Sequence, residues 1–177
     1  MAETNTLAEA LLQHGVTRRG FLTYCAGLAS MMALPPAMVP RIAAALENAV
    51  RPSVIWLSFQ ECTGCTESLT RSHSPSLENL IFDVVSLDYH HTLQAASGTG
   101  AEDACQSAMK ENWGKYLLVV DGSIPTADGG IYCKIAGRTA VDIAREVGGK
   151  AAAIVAIGSC ASWGGIPSAD PNPTGAK

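Results

Sequence analysis

After residue 50 the chain is divided by four nearly continuous apolar runs, at 54–59, 80–86, 116–121 and 151–158. Two-faced burial in a parallel sheet produces runs of this kind, whereas a strand with one wet face would alternate. Between them the apolar spacing is helical, over 65–71, about 100–111 and 137–147; in the last, Ala140, Ile143, Ala144 and Val147 fall on one face. Strands alternating with helices predict an α/β fold, a doubly wound parallel sheet. Gly98-Thr99-Gly100 and Asp128-Gly129-Gly130 mark loops. Ligands of open α/β sheets bind beyond the carboxyl ends of the strands. The residues predicted there are Gln60-Glu61-Cys62-Thr63-Gly64-Cys65, Asp88-Tyr89-His90-His91, Gly122-Ser123-Ile124-Pro125 and Ser159-Cys160-Ala161. Three cysteines are therefore expected to meet at one rim of the sheet.

The front of the chain has a different character. Arg18 and Arg19 precede Phe21-Leu22, and 21–34 carries no charge. That run is shorter than the roughly 20 residues a membrane-spanning helix needs. Pro35-Pro36 stops it, and Ala43-Ala44-Ala45 supplies the small side chains of a cleavage site. Residues 1–45 thus read as a twin-arginine signal peptide, leaving 46–177 as the folded domain. The twin-arginine route carries proteins already folded, commonly with metal cofactors in place, so the signal itself favours a cofactor protein used outside the cytoplasm.

Composition narrows the function classes. Of 177 residues, 47% are hydrophobic and only 16% charged, which excludes a disordered chain. A net charge of -4 without a basic stripe argues against nucleic acid as a partner. Six cysteines occur, at 25, 62, 65, 105, 133 and 160. Removal of Cys25 with the signal leaves an odd number, a poor basis for a disulfide framework.

Cys62-Thr63-Gly64-Cys65, where a strand hands over to a helix, places two sulfurs on one side of a turn. That spacing suits an iron–sulfur cluster, a thiol–disulfide redox pair or a structural metal. Zinc commonly uses a second tight pair, which the chain lacks. Cys160, after the fourth apolar run, is a third ligand on a different strand, and three converging thiolates point to a cluster short of one ligand. Cys105, among Ala104, Ala108 and Met109, reads as a buried free cysteine, and Cys133 has no assigned role.

Taken together, these motifs resemble the amino-terminal part of the small subunit of [NiFe] hydrogenases. The resemblance is carried by Arg51-Pro52-Ser53-Val54-Ile55-Trp56-Leu57, Glu61-Cys62-Thr63-Gly64-Cys65-Thr66-Glu67-Ser68-Leu69, and Asp88-Tyr89-His90 with Thr92-Leu93. Gly122-Ser123-Ile124-Pro125, Gly158-Ser159-Cys160-Ala161-Ser162-Trp163-Gly164-Gly165 and Pro171-Asn172-Pro173-Thr174-Gly175 extend it. It implies a flavodoxin-like domain holding the proximal [4Fe–4S] cluster through Cys62, Cys65 and Cys160. A fourth ligand is expected in a Gly-Cys-Pro-Pro element beyond Lys177, followed by a domain with further iron–sulfur clusters.

The implied function is electron transfer between the Ni–Fe centre of a large subunit and an external acceptor such as a cytochrome, during H2 oxidation or evolution. The implied location is the periplasm or outer face of the membrane, with membrane association through a further segment or a partner. Glu61 would face the subunit interface and assist proton exit; His90 and His91 read as hydrogen-bonded or interface histidines. Gly64 and Gly165 stand where oxygen-tolerant relatives carry extra cysteines, and Asp121 where many relatives have Glu. The competing reading is an exported thiol–disulfide oxidoreductase using Cys62 and Cys65; a cluster subunit of the respiratory complex I type fits less well, since its relatives carry adjacent cysteines at the first site.

Overall fold

A computed structural model describes residues 17–31, 33–47 and 51–177. The chain divides into two compact units, one running to Pro52 and including Phe82–Val84, the other comprising Ser53–Ile81 and Val85–Lys177.

Two helices make up the described part of the first unit, α1 (Arg18–Met31) and α2 (Val39–Glu47), with a 3-10 turn at Pro36–Met38 before α2. Phe21 and Cys25, one helical turn apart on α1, close onto Ala43 of α2, with Val39, Ile42 and Leu46 packed around them. Arg18 and Arg19 are exposed at the start of α1. The part of the expected signal before Thr17 lies outside the described residues. Ala43-Ala44-Ala45 lies inside α2. None of the described helices is long and apolar enough to cross a membrane.

The second unit follows the order β1 (Ser53–Ser58), α3 (Gly64–Thr70), α4 (Leu77–Asn79), β2 (Ser86–His90), α5 (Thr99–Glu111), β3 (Leu117–Asp121), β4 (Lys134–Ile135), β5 (Arg138–Thr139), α6 (Ala140–Gly148), β6 (Ala153–Ile157) and α7 (Gly158–Trp163). The main sheet has four strands in the order β2-β1-β3-β6, all parallel, while β4 and β5 form a small hairpin. This is the flavodoxin-like order as far as it runs. Central β1 is buried from Ser53 to Leu57. Ile55 and Leu57 pack with Leu118, Tyr116, Cys105, Met109 and Val147 into one core. Thr139 caps α6 by accepting from the Asp142 N–H at 3.2 Å.

Two sequence expectations fail here. The run 80–86 is not a strand: Ser76 caps a helix at Leu77, which widens into a π-helical turn over Leu80–Val84, and the strand begins at Ser86. A continuous apolar run does not separate helix from strand by period, and the Ser76 cap decides it. Asp88, Tyr89 and His90 therefore belong to β2 itself. Two-faced burial also fails at β6, an edge strand on which Ile154 and Val155 are 58% and 47% exposed.

Candidate metal centre

The carboxyl ends of the parallel strands set the site. Phe59 N–H donates to the Asp121 carbonyl at 2.8 Å, and Gln60 and Ser123 exchange backbone bonds at 3.1 and 2.9 Å, so the chain leaving β1 is tied to that leaving β3. This pairing needs Gly122: with φ at +88°, a Cβ there would lie 2.8 Å from the Gln60 carbonyl group. The same Gln60 side chain receives the Thr174 hydroxyl at 3.5 Å, while Ile124 and Lys177 exchange backbone bonds and fasten the tail beside the loop.

Beyond Gln60 the chain passes Glu61 and Cys62 and reverses at Thr63, whose φ is +65°. A β-branched residue in the left-handed region is strained, and such strain concentrates at functional loops. The reversal starts α3 at Gly64 and seats Cys65 in its first turn. Cys160 enters on α7, directly after β6.

The three thiols converge. Cys62 is exposed, whereas Cys65 and Cys160 are partly buried. Cys65 lies within electrostatic reach of both other cysteines. Its Sγ–H reaches the Ile157 carbonyl at 3.8 Å, and the Asp121 carboxylate lies within electrostatic reach of the same sulfur. Burial, then the Asp121 carboxylate, pushes the Cys65 thiol up to about 11.

Each thiol is also flanked by a glycine whose missing side chain leaves it room. An ideal Cβ on Gly158 would stand 2.4 Å from Cys65 Sγ, one on Gly165 2.7 Å from Cys160 Sγ, and one on Gly64 3.1 Å from Cys62 Sγ. Gly158 and Gly165 have φ of +75° and +52°, so glycine is required there on backbone grounds as well. This crowding of sulfur donors, with space kept at every sulfur, fits an iron–sulfur cluster bound at Cys62, Cys65 and Cys160. Among the described residues no three His, Cys, Asp or Glu side chains are grouped to hold a single metal ion.

Two carboxyls border the thiols. Asp121 is 1% exposed, its Oδ2 has no partner, and burial raises its pKa. Glu61 accepts the Thr63 hydroxyl at 3.3 Å on Oε1, while its buried Oε2 is unpartnered; burial and then the Asp121 charge raise it. In the sequence Asp121 ends an apolar run and stands where many relatives have Glu, and neither feature signals that it approaches Cys65.

The histidines are held as neutral hydrogen-bonding groups. His91 Nδ1 accepts the Ser58 N–H at 2.8 Å. His90 Nδ1 accepts the N–H groups of Thr92 and Leu93, at 3.0 and 3.3 Å. Burial lowers both, His90 to about 4. Cys105 packs in the core, and Cys133 sits partly buried against it. A dithiol enzyme uses only Cys62 and Cys65, so the third thiol brought within reach of Cys65, that of Cys160, gives no support to the thiol–disulfide reading.

Comparison with known proteins agrees with this architecture. The chain belongs to the family described as NADH ubiquinone oxidoreductase, 20 Kd subunit, whose model matches residues 62–177. Within that class its named relatives are hydrogenase small subunits. It is 48% identical to the Hydrogenase-2 small chain of Escherichia coli K12 over 99% of this chain and 46% of that one. It is 47% identical to the periplasmic [NiFe] hydrogenase small subunit 1 of Nitratidesulfovibrio vulgaris, over 96% of this chain and 53% of that one. The solved [NiFeSe] hydrogenase of Desulfovibrio vulgaris Hildenborough superposes with a TM-score of 0.70 at 38% identity, covering 73% of this chain and 48% of that one. The chain thus spans about half the length of the relatives it matches.

Proposed function

We propose that this chain is the electron-transfer small subunit of a [NiFe] hydrogenase, in the part that holds the cluster nearest the large subunit. Cys62, Cys65 and Cys160 hold a [4Fe–4S] cluster, with the fourth ligand supplied from outside residues 1–177. When bound, that cluster supplies one-electron chemistry between the Ni–Fe centre of the large subunit and an external acceptor such as a cytochrome.

The chain's own residues fix the ligands and their surroundings. The β1–β3 tie orients the Cys62–Cys65 loop, and β6 delivers Cys160 to the same rim. Burial and hydrogen bonds to sulfur are the means by which a protein sets a cluster's potential. Glu61, with one buried oxygen unpartnered, is the candidate for moving protons at the subunit boundary. Trp163 and Ile166, which follow Cys160 and are 73% and 88% exposed, suit burial against the large subunit. Residues 1–45 act as the twin-arginine signal, and the assembled enzyme works in the periplasm, as the relative named periplasmic does, or on the outer face of the cytoplasmic membrane.

The single observation carrying this reading is the meeting of three cysteines from two strand ends, each beside a glycine that leaves its sulfur clear. The test is anaerobic purification of the chain with its large-subunit partner, followed by exposure to H2. The expected result is an iron- and sulfide-containing complex whose cluster is reduced by H2. A colourless protein fully active in dithiol exchange contradicts it.

A further inference from the structure

His90 is 1% exposed at the end of β2, and both ring nitrogens are engaged. Because Nδ1 accepts from Thr92 and Leu93, the ring proton resides on Nε2, which faces Thr66 Oγ1 at 3.5 Å. The ring is stacked on Trp56 of β1, with centroids 4.9 Å apart and planes at 25°. Thr66, 3% exposed, is the residue after Cys65. Helix α3 has only seven residues, and Thr63 makes no side-chain cap bond to it. A helix this short does not hold itself by propensity, so its orientation depends on tertiary ties.

We propose that His90 is a positioning residue for the cluster site: its Nε2–H, directed at Thr66 Oγ1, sets the angle at which α3 presents Cys65. The proposal rests on the cluster reading above. Two backbone donors and the Trp56 ring fix the imidazole, and the imidazole in turn fixes the helix. Burial keeps the ring neutral down to about pH 4, so the tie persists from neutral to mildly acidic pH. A proton-carrying role does not fit, since the acceptor nitrogen is occupied by two backbone N–H groups.

The test uses His90→Asn, which keeps an acceptor for residues 92–93 but no donor toward Thr66, and Thr66→Val, which keeps the shape and removes the acceptor. Hydrogen exchange of the α3 amides in the metal-free full chain is expected to quicken about fivefold in each variant, and no further in the double variant. In the anaerobic complex with the large subunit, both variants are expected to shift the cluster's midpoint potential and EPR signature alike. His90→Gln, whose amide nitrogen reaches the Nε2 position but which lacks the ring and its acceptor for residues 92–93, is expected to restore part of both readouts. Additive effects, unchanged exchange and potential, or no rescue by Gln overturn the proposal. A wild-type complex without iron and sulfide overturns the cluster reading instead, and the exchange data keep the two failures apart.

Discussion

Gly158 carries the tightest steric constraint at the site, because its absent side chain is what lets Cys65 Sγ approach the start of α7. Gly158→Ala is expected to abolish iron and sulfide binding. Gly129→Ala, at a similar φ of +72° but with no atom within 4 Å, is expected to cost only roughly 1 kcal/mol of backbone strain and to leave the metal content intact. The histidines make a second prediction. His90 resists protonation in the fold until about pH 4, while the unfolded chain takes up the proton near the ordinary 6.5. The unfolded state then binds more protons in that window, so stability is lost as pH falls through it. The raised carboxyls of Glu61 and Asp121 act in the opposite sense, so the measurement is a difference. Urea midpoints of the metal-free chain between pH 7 and 4 should fall more steeply in wild type than in His90→Asn; equal slopes contradict the assignment. At this scale the three cysteines proposed as ligands were legible as a group from residue type and strand position. The approach of Asp121 to Cys65 and the His90–Thr66 tie were not, since each joins a strand end to helix α3 across a long stretch of sequence and depends on which neighbours the sheet order selects.

Helix ends and sheet edges govern the next scale. Thr139→Ala removes the cap of α6 and is expected to lower stability by about 1 kcal/mol in urea unfolding, without altering iron content. Edge strand β6 presents Ala153-Ile154-Val155-Ala156-Ile157 with no charge along it. An apolar, uncharged edge is a template for association. The chain by itself is expected to self-associate in sedimentation experiments, and Val155→Lys to reduce this; unchanged sedimentation would show that the edge is not the cause. Strands β1, β3 and β6 were legible because their apolar runs are short and bounded by turn residues. The start of β2 was not, because 80–85 reads as well for a buried helix as for a strand, and the Ser76 cap that settles it lies four residues upstream. The β4–β5 hairpin was hidden by its two-residue strands, too short to display a period.

For the whole molecule, the apolar runs pointed to a parallel α/β sheet, while its flavodoxin-like order was implied by the family resemblance; the observed sheet and the hydrogenase small-subunit relatives match both. The central claim is that one cluster is shared by cysteines from separate strand ends, and the ligand set tests it most directly. Native mass spectrometry of the anaerobically loaded protein should show one four-iron, four-sulfide increment per chain. That increment should disappear in Cys62→Ser, Cys65→Ser and Cys160→Ser and survive in Cys105→Ser and Cys133→Ser. Retention of the full increment in Cys160→Ser, or its loss in Cys133→Ser, would contradict the account.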